Sequence, residues 1–101
     1  MTARCMATAA ALVFTLIGHA WAAGLADAPP GALSCSGCHP AARSVDTAVP
    51  RLVGRNPADI VAAMQAFKSG QKPASVMDRI AKGFSDDDVK AIAAWYGAQK
   101  D

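Results

Sequence analysis

Two cysteines and a histidine lie within one pentapeptide, Cys35-Ser36-Gly37-Cys38-His39. A chain of 101 residues forms one domain at most, and so small a domain is only marginally stable without a staple. A disulfide across two intervening residues would close a loop too small to constrain the unfolded chain. The fold must therefore obtain its core from something other than a disulfide.

The first 22 residues have the composition of a secretory signal peptide. Arg4 supplies the charge of the n-region, residues 6–17 form an almost unbroken apolar run, and Ala20-Trp21-Ala22 offers a cleavage pattern. The run is shorter than the roughly 20 apolar residues of a membrane-spanning helix; a retained anchor is the alternative. We expect residues 1–22 to be cleaved, leaving residues 23–101 as a periplasmic domain without membrane insertion.

Cleavage reduces the set of possible ligands. It removes Cys5 and His19, so the cysteines become an even pair and His39 becomes the only histidine. Met64 and Met77 are the methionines that remain. The formal charge falls from +2 to +1, and no basic run is interleaved with aromatic residues, which argues against a nucleic-acid partner.

The residues that flank two amphipathic stretches predict where helices begin and end. Asn56 and Pro57 are typical of an N-cap and a first helical residue, and Gly70 is typical of the position after a helix. Ser85 and Asp88 have the spacing of a capping box. No stretch alternates as a β-strand does, which predicts an all-α domain. The expected elements are helical turns over 33–42 and 78–82, a loop over 43–55, and helices over 57–69 and 86–99.

The pentapeptide has the attachment pattern of a c-type heme. Two thiols three residues apart can add to the two vinyl groups of one heme from a single helical turn, and the next residue then faces the iron. We therefore predict one covalent heme c held by Cys35 and Cys38, with His39 as an iron ligand. A redox dithiol would need a βαβ context to lower a thiol pKa, and a structural zinc site would need four ligands. A plain disulfide is the remaining alternative.

Two thioethers are available for the iron position opposite His39. Met64 lies in the predicted helix over 57–69, in register with its apolar residues, whereas Met77 follows a connector that contains Pro73. Such a connector can arch over a heme, so we predict Met77 as the second iron ligand. Histidine–methionine ligation fills both axial positions and raises the reduction potential, which predicts electron transfer. An open position would instead indicate peroxidase activity or gas binding.

A second group of residues is expected to support the histidine. His39 needs an acceptor for its other ring N–H, and a carbonyl in the segment Val49-Pro50 is our candidate. Leu52 is expected to pack against the same face of the heme. Lys68, Lys72, Arg79 and Lys82 flank Met77 and form a candidate docking patch for an acidic partner, with ordinary solvated surface as the alternative.

The chain resembles a class I cytochrome c in the order of four features, which are the pentapeptide, "PRLVGR", Met77 and a closing helix with paired aromatics. "PRLVG" is similar to the Pro-x-Leu-x-Gly element of that family, whose proline carbonyl accepts a hydrogen bond from the heme-ligating histidine; the match falls on Pro50, Leu52 and Gly54. Trp95 or Tyr96 corresponds to the closing-helix aromatic that packs near the first helix. The resemblance implies a small fold of short helices packed around one covalent heme.

Residues 66–96 are similar to the cytochrome subunit of flavocytochrome c sulfide dehydrogenases and to related diffusible cytochromes. This resemblance implies a non-catalytic electron-transfer subunit that accepts electrons from a flavoprotein partner, and exchange with other redox proteins. A free carrier that serves an oxidase or a photosynthetic reaction centre is the first alternative. A secreted thiol–disulfide accessory protein without heme is the second.

Overall fold

The structure is a computed structural model, and it describes residues 27–100. The predicted signal peptide, residues 1–22, lies outside the described residues. Within those residues the chain has four α-helices and no β-strand, which confirms the all-α prediction. None of these helices has the length and hydropathy needed to cross a bilayer. The helices are α1 (Ala32–Cys35), α2 (Pro57–Ser69), α3 (Met77–Ala81) and α4 (Asp86–Ala98).

Helix α2 begins and ends at the residues predicted from the sequence. Asn56 Oδ1 accepts a hydrogen bond of 2.9 Å from the Ala58 amide, which satisfies one of the free donors of the first turn. Gly70 follows the helix with φ of 78°, a left-handed conformation that glycine adopts without steric cost. The loop before this helix and the glycine after it therefore set its length.

Helix α4 begins with the predicted capping box. The Ser85 hydroxyl accepts a hydrogen bond of 3.1 Å from the Asp88 amide, and the Asp88 carboxylate accepts one of 3.0 Å from the Ser85 amide. The Asp88 carboxylate also accepts a 2.7 Å bond from the Ser85 hydroxyl. These bonds stabilise the ionised carboxylate and hold the pKa of Asp88 below its usual value, with the side-chain bond as the largest cause.

Helix α1 is much shorter than predicted, whereas helix α3 is shifted by one residue. The helical turn predicted over 33–42 is an α-helix only over Ala32–Cys35, after which tighter turns lead to His39. Pro40 has no amide hydrogen, so the helical hydrogen bonding cannot continue beyond His39. Helix α3 begins at Met77 and ends at Ala81, so each of its ends lies one residue before the end predicted from the sequence.

The core lies where helices α1, α2 and α4 meet, and α2 also packs against α3. The predicted apolar face of α4 is buried, with Tyr96 only 3% exposed. Residues from the loop before α2 and from the segment after α3 cover the sides of this core. The buried core residues are Ala32, Ile60, Ile92, Ala93 and Tyr96.

The close packing of Phe84 on Gly31 fixes the approach to α1. Gly31 has φ of 84°, and a Cβ atom there would lie 2.5 Å from Cε1 of Phe84. Glycine is therefore needed both for the backbone conformation and for the space that the ring occupies. This contact joins the chain before Cys35 to the residues after α3.

Candidate functional site

One cavity brings the sequence-predicted site residues together. Its volume is about 770 Å³, within the range of about 300–1,000 Å³ that is typical of ligand and cofactor sites. The walls contributed by α2, α3 and α4 are apolar, with Ile60, Phe67, Ile80 and Ile92 among their residues. The predicted site residues on its wall are Cys35, Cys38, His39, Pro50, Leu52 and Met77.

The two cysteines and the histidine lie on consecutive tight turns. The Cys38 amide donates to the Cys35 carbonyl at 3.2 Å, and the His39 amide donates to the same carbonyl at 2.9 Å. Because residues three and four apart face the same side of such a turn, all three side chains can reach one ligand. The backbone thus supplies the arrangement that attachment through two thiols requires.

The imidazole of His39 is oriented by the loop that follows it. Its Nδ1 lies 2.5 Å from the Pro50 carbonyl oxygen, so the hydrogen bond expected from the sequence is present. A carbonyl can only accept, so Nδ1 must carry the proton. In the neutral ring the lone pair is then on Nε2, which leaves that atom free to bind a metal.

A second hydrogen bond beside it closes the same loop. Arg51 Nε donates to the Ala41 carbonyl at 2.7 Å, so the two ends of the loop are joined at His39–Pro50 and again at Ala41–Arg51. The sequence contained no signal for the Arg51 contact, because its partner is a backbone atom ten residues earlier. Arg51 is therefore a positioning residue that sequence reasoning missed.

The pKa of the Cys35 thiol is raised, whereas a reactive dithiol needs a thiol with a lowered pKa. Burial raises the pKa of Cys35 above its usual value of 9.0, although a backbone hydrogen bond partly offsets this effect. Thiol–disulfide enzymes instead lower the pKa of the attacking thiol, because the thiolate is the nucleophile. The environment of Cys35 therefore argues against the thiol–disulfide alternative.

Both candidate thioethers line the cavity. Met77 is the first residue of α3 and Met64 lies in the middle of α2, and both residues are half-buried. The cavity therefore contains a possible sulfur ligand from each of two helices. The choice of Met77 over Met64 stays a prediction, since it rests on the connector that precedes α3.

The donor set fits a heme. Two thiols, an imidazole with its Nε2 available and a thioether line a predominantly apolar cavity, and these are the groups that attach and ligate a c-type heme. Leu52 is half-buried on the same wall as Pro50. Among the cavity residues that sequence reasoning did not assign to the site are Arg55 and Phe84, which lie on different elements and share no motif.

Comparisons with known proteins place the chain among electron carriers. No family model matches it. It is 35% identical over 65 residues to the cytochrome subunit of sulfide dehydrogenase from Chlorobaculum tepidum, a match that covers 64% of this chain and 59% of that subunit. It is 30% identical over 71 residues to cytochrome c-554(548) from Halomonas halodenitrificans, a match that covers 66% of this chain and 86% of that protein. The chain thus spans most of the second relative and less than two thirds of the first.

Proposed function

From the premise that this chain belongs to the c-type cytochromes, which bind heme and transfer electrons, we propose that it carries electrons in the periplasm on one covalently attached heme. In this proposal Cys35 and Cys38 hold the heme, His39 and Met77 ligate its iron, and a flavoprotein supplies the electrons. The observation that carries the proposal is the cavity in which all four of these side chains meet. The domain is residues 23–101, after cleavage of the signal peptide.

The site favours electron transfer over bond chemistry. His39 is held by Pro50 in the tautomer that leaves Nε2 for the iron, and the thioethers of Met77 and Met64 reach the same cavity. When histidine and methionine fill both axial positions, no substrate can bind the iron, and the reduction potential is raised. We therefore assign the chain no catalytic residues of its own.

The cavity opens beside a surface that suits a protein partner. Val76 is 53% exposed and Ile80 is 39% exposed, and both line the cavity. Lys72, Arg79 and Lys82 are exposed around them. An apolar centre with a charged rim is typical of an interface, and the positive rim favours an acidic partner. We call these five residues the docking patch.

Lys68, which the sequence prediction grouped with these cations, is left out of the docking patch because it has an ion-pair partner. Its ammonium group lies 3.5 Å from the Asp86 carboxylate at the start of α4. The Asp86 carboxylate places a negative charge beside Lys68, which lowers the positive potential that Lys68 would present to a partner. The positive rim therefore consists of Lys72 in the connector before α3, Arg79 in α3 and Lys82 directly after α3.

The proposed flavoprotein donor rests on the first relative, whose name makes it a subunit of a sulfide dehydrogenase. The second relative, most of whose length the chain covers, has a name that mentions no enzyme complex, so a free carrier is the other candidate. The two candidates differ in whether the protein forms a stable complex. A periplasmic location is proposed from the signal peptide, and the mature N-terminus then follows Ala22.

Purification of the native protein from the periplasm tests this proposal. We expect it to elute with a flavin-containing subunit, and we expect sulfide to reduce the heme only when that subunit is present. Elution as a single small protein that other redox proteins reduce would favour the free carrier. A mature protein that retains residues 1–22 would contradict the periplasmic assignment as stated.

A further inference from the structure

The loop between His39 and Arg51 has few restraints from its own backbone. Residues 41–48 are exposed, and no backbone–backbone hydrogen bond between described residues involves any residue from 40 to 51. A segment without such bonds keeps its position only if side chains hold it. The contacts that side chains make across this loop therefore decide where its two ends lie.

The acceptor of the His39 hydrogen bond cannot fix its own position. Pro50 is exposed and has no amide hydrogen to donate, yet its carbonyl oxygen lies 2.5 Å from His39 Nδ1. That carbonyl and the Arg51 amide belong to one planar peptide unit, so a restraint on Arg51 also restrains the direction of the carbonyl. Arg51 is thus the residue through which the acceptor can be held.

Arg51 supplies this restraint across the loop. The residue is half-buried, and its Nε donates to the Ala41 carbonyl at 2.7 Å, within the range of about 2.7–2.9 Å that is typical of charge-assisted hydrogen bonds. Ala41 lies two residues after His39, and Arg51 lies one residue after Pro50. The two hydrogen bonds therefore connect the same two ends of the loop, one beside the other.

We propose that Arg51 keeps the Pro50 carbonyl on His39 and so lowers the reduction potential of the heme, an inference that rests on the heme-binding function proposed above. A hydrogen bond from Nδ1–H makes the imidazole a more basic ligand. A more basic ligand stabilises ferric iron more than ferrous iron, because the ferric ion carries the larger charge. Weakening the bond between His39 and Pro50 therefore raises the reduction potential.

Leu52 offers a competing explanation for the position of Pro50. It packs against the core, and the Gly54 amide two residues later donates to the Tyr96 carbonyl at 3.0 Å. These contacts anchor the chain after the loop to α4, whichever residue stands at position 51. The Arg51 bond differs from them because it reaches back to the His39 side of the loop. Its loss frees the acceptor and leaves the anchor on α4 intact.

Three substitutions at position 51 separate the hydrogen-bond donor from the charge. The side-chain nitrogen in Arg51→Gln lies the same number of bonds from Cα as arginine Nε, so this variant keeps a donor there and loses the charge. Arg51→Lys keeps the charge but has a methylene at that position, and Arg51→Met keeps neither. Since Arg51→Gln and Arg51→Met have the same net charge, a difference between them reports the donor. The same pair of substitutions at Arg79, an exposed residue of α3 that does not line the cavity, is the control.

Two measurements are made on variants that carry covalent heme. The first is the hydrogen-exchange rate of the His39 Nδ1 proton in the reduced protein, compared with that of the Ile92 amide in α4, which reports opening of the core. The second is the midpoint potential. We expect Arg51→Met to speed exchange of the Nδ1 proton about tenfold or more, as loss of a hydrogen bond to a charged group implies, without the same change at Ile92. Arg51→Gln should keep slow exchange and have a lower potential than Arg51→Met, whereas the Arg79 pair should not differ.

Equal exchange rates and equal potentials for heme-loaded Arg51→Gln and Arg51→Met would overturn the proposal and assign the position of Pro50 to Leu52. It would also be overturned if Arg51→Lys matched the wild type while Arg51→Gln matched Arg51→Met, because the charge and not the donor would then matter. If Arg51→Met does not fold, faster Nδ1 exchange in Arg51→Lys than in Arg51→Gln supports the proposal, and equal or slower exchange overturns it. A wild-type chain without covalent heme would instead contradict the proposed function, and this inference with it.

Discussion

The Tyr96 hydroxyl donates a hydrogen bond of 2.6 Å to the carbonyl oxygen of Ala32, which lies 64 positions earlier in the chain. Ser36 Oγ lies 2.9 Å from the same hydroxyl, and because the tyrosine proton points to Ala32, Ser36 must be the donor. Helix α4 is thereby joined to the turn that carries Cys35 and Cys38. The closing helix therefore positions the proposed attachment site directly.

Replacing Tyr96 by phenylalanine should destabilise the protein while leaving its core filled. The change leaves the buried Ala32 carbonyl without its donor, which costs about 1–3 kcal/mol. Chemical unfolding of the heme-loaded protein measures this loss. Ser36→Ala is the control, since it removes the 2.9 Å contact but keeps the bond to Ala32, and we expect a smaller loss.

The cost of Tyr96→Phe should also depend on pH. Burial raises the pKa of Tyr96 above its usual value of 10.0, while the hydrogen bond from Ser36 partly offsets this effect. Because the folded pKa is raised, the contribution of the hydroxyl is complete below pH 10 and is lost as pH rises through the folded pKa. A difference between the two proteins that grows in alkali would contradict this interpretation.

Met77→Ala and Met64→Ala distinguish the two thioethers on the cavity wall. If Met77 ligates the iron, Met77→Ala abolishes the far-red absorption that oxidised iron shows when bound to sulfur and lowers the reduction potential. Met64→Ala should keep the band and lower stability by about 2–5 kcal/mol, as truncation of a packed methionine does. Loss of the band in Met64→Ala alone would transfer the ligand role to Met64.

Gly97→Ala tests how closely α4 approaches the start of α2. A Cβ atom at this position would lie 2.6 Å from Pro57 Cγ and 2.8 Å from the Arg55 carbonyl oxygen. Helix propensity alone would favour alanine by about 1 kcal/mol, but overpacking costs about 1–3 kcal/mol. We expect net destabilisation in thermal unfolding. A stabilised Gly97→Ala protein would mean that the two helices have more room than these distances indicate.

Charge reversal in the docking patch should slow reduction by an acidic partner. We expect Lys72→Glu with Lys82→Glu to lower the association rate at low salt, and we expect the difference from wild type to shrink as salt screens the charges. Lys90→Glu is the control, because Lys90 lies on α4 and is not a cavity residue. Equal rates for the double variant and wild type at every salt concentration would show that the patch is ordinary surface.

Local signals in the sequence predicted those parts of the fold that local chemistry decides. Asn56 caps the start of α2 and Gly70 follows its end, and each acts on residues that are close to it in sequence. The residue pattern was therefore sufficient to predict both ends of the helix. The His39–Pro50 bond was also expected, although through family resemblance and the need of a ligating imidazole for an acceptor.

Contacts between distant segments could not be predicted in the same way. The sequence offered Trp95 or Tyr96 as the aromatic near the first helix; the structure assigns the hydrogen bond to Tyr96, while Trp95 packs edge-on against its ring at 4.8 Å. The fit of Phe84 on Gly31 and the bond from Arg51 to a backbone carbonyl depend on the folded chain path. No spacing rule encodes such contacts.

The most direct test of the account is the heme content of the protein expressed with the machinery that attaches heme c. The reduced pyridine spectrum and the mass of the intact protein should give one heme per chain, bound so that acidic acetone does not extract it. Cys35→Ala with Cys38→Ala should abolish this attachment and leave the chain largely unfolded, because the heme would fill the apolar cavity that α2, α3 and α4 line. A wild-type protein that folds without heme, or releases it to acidic acetone, would contradict the account.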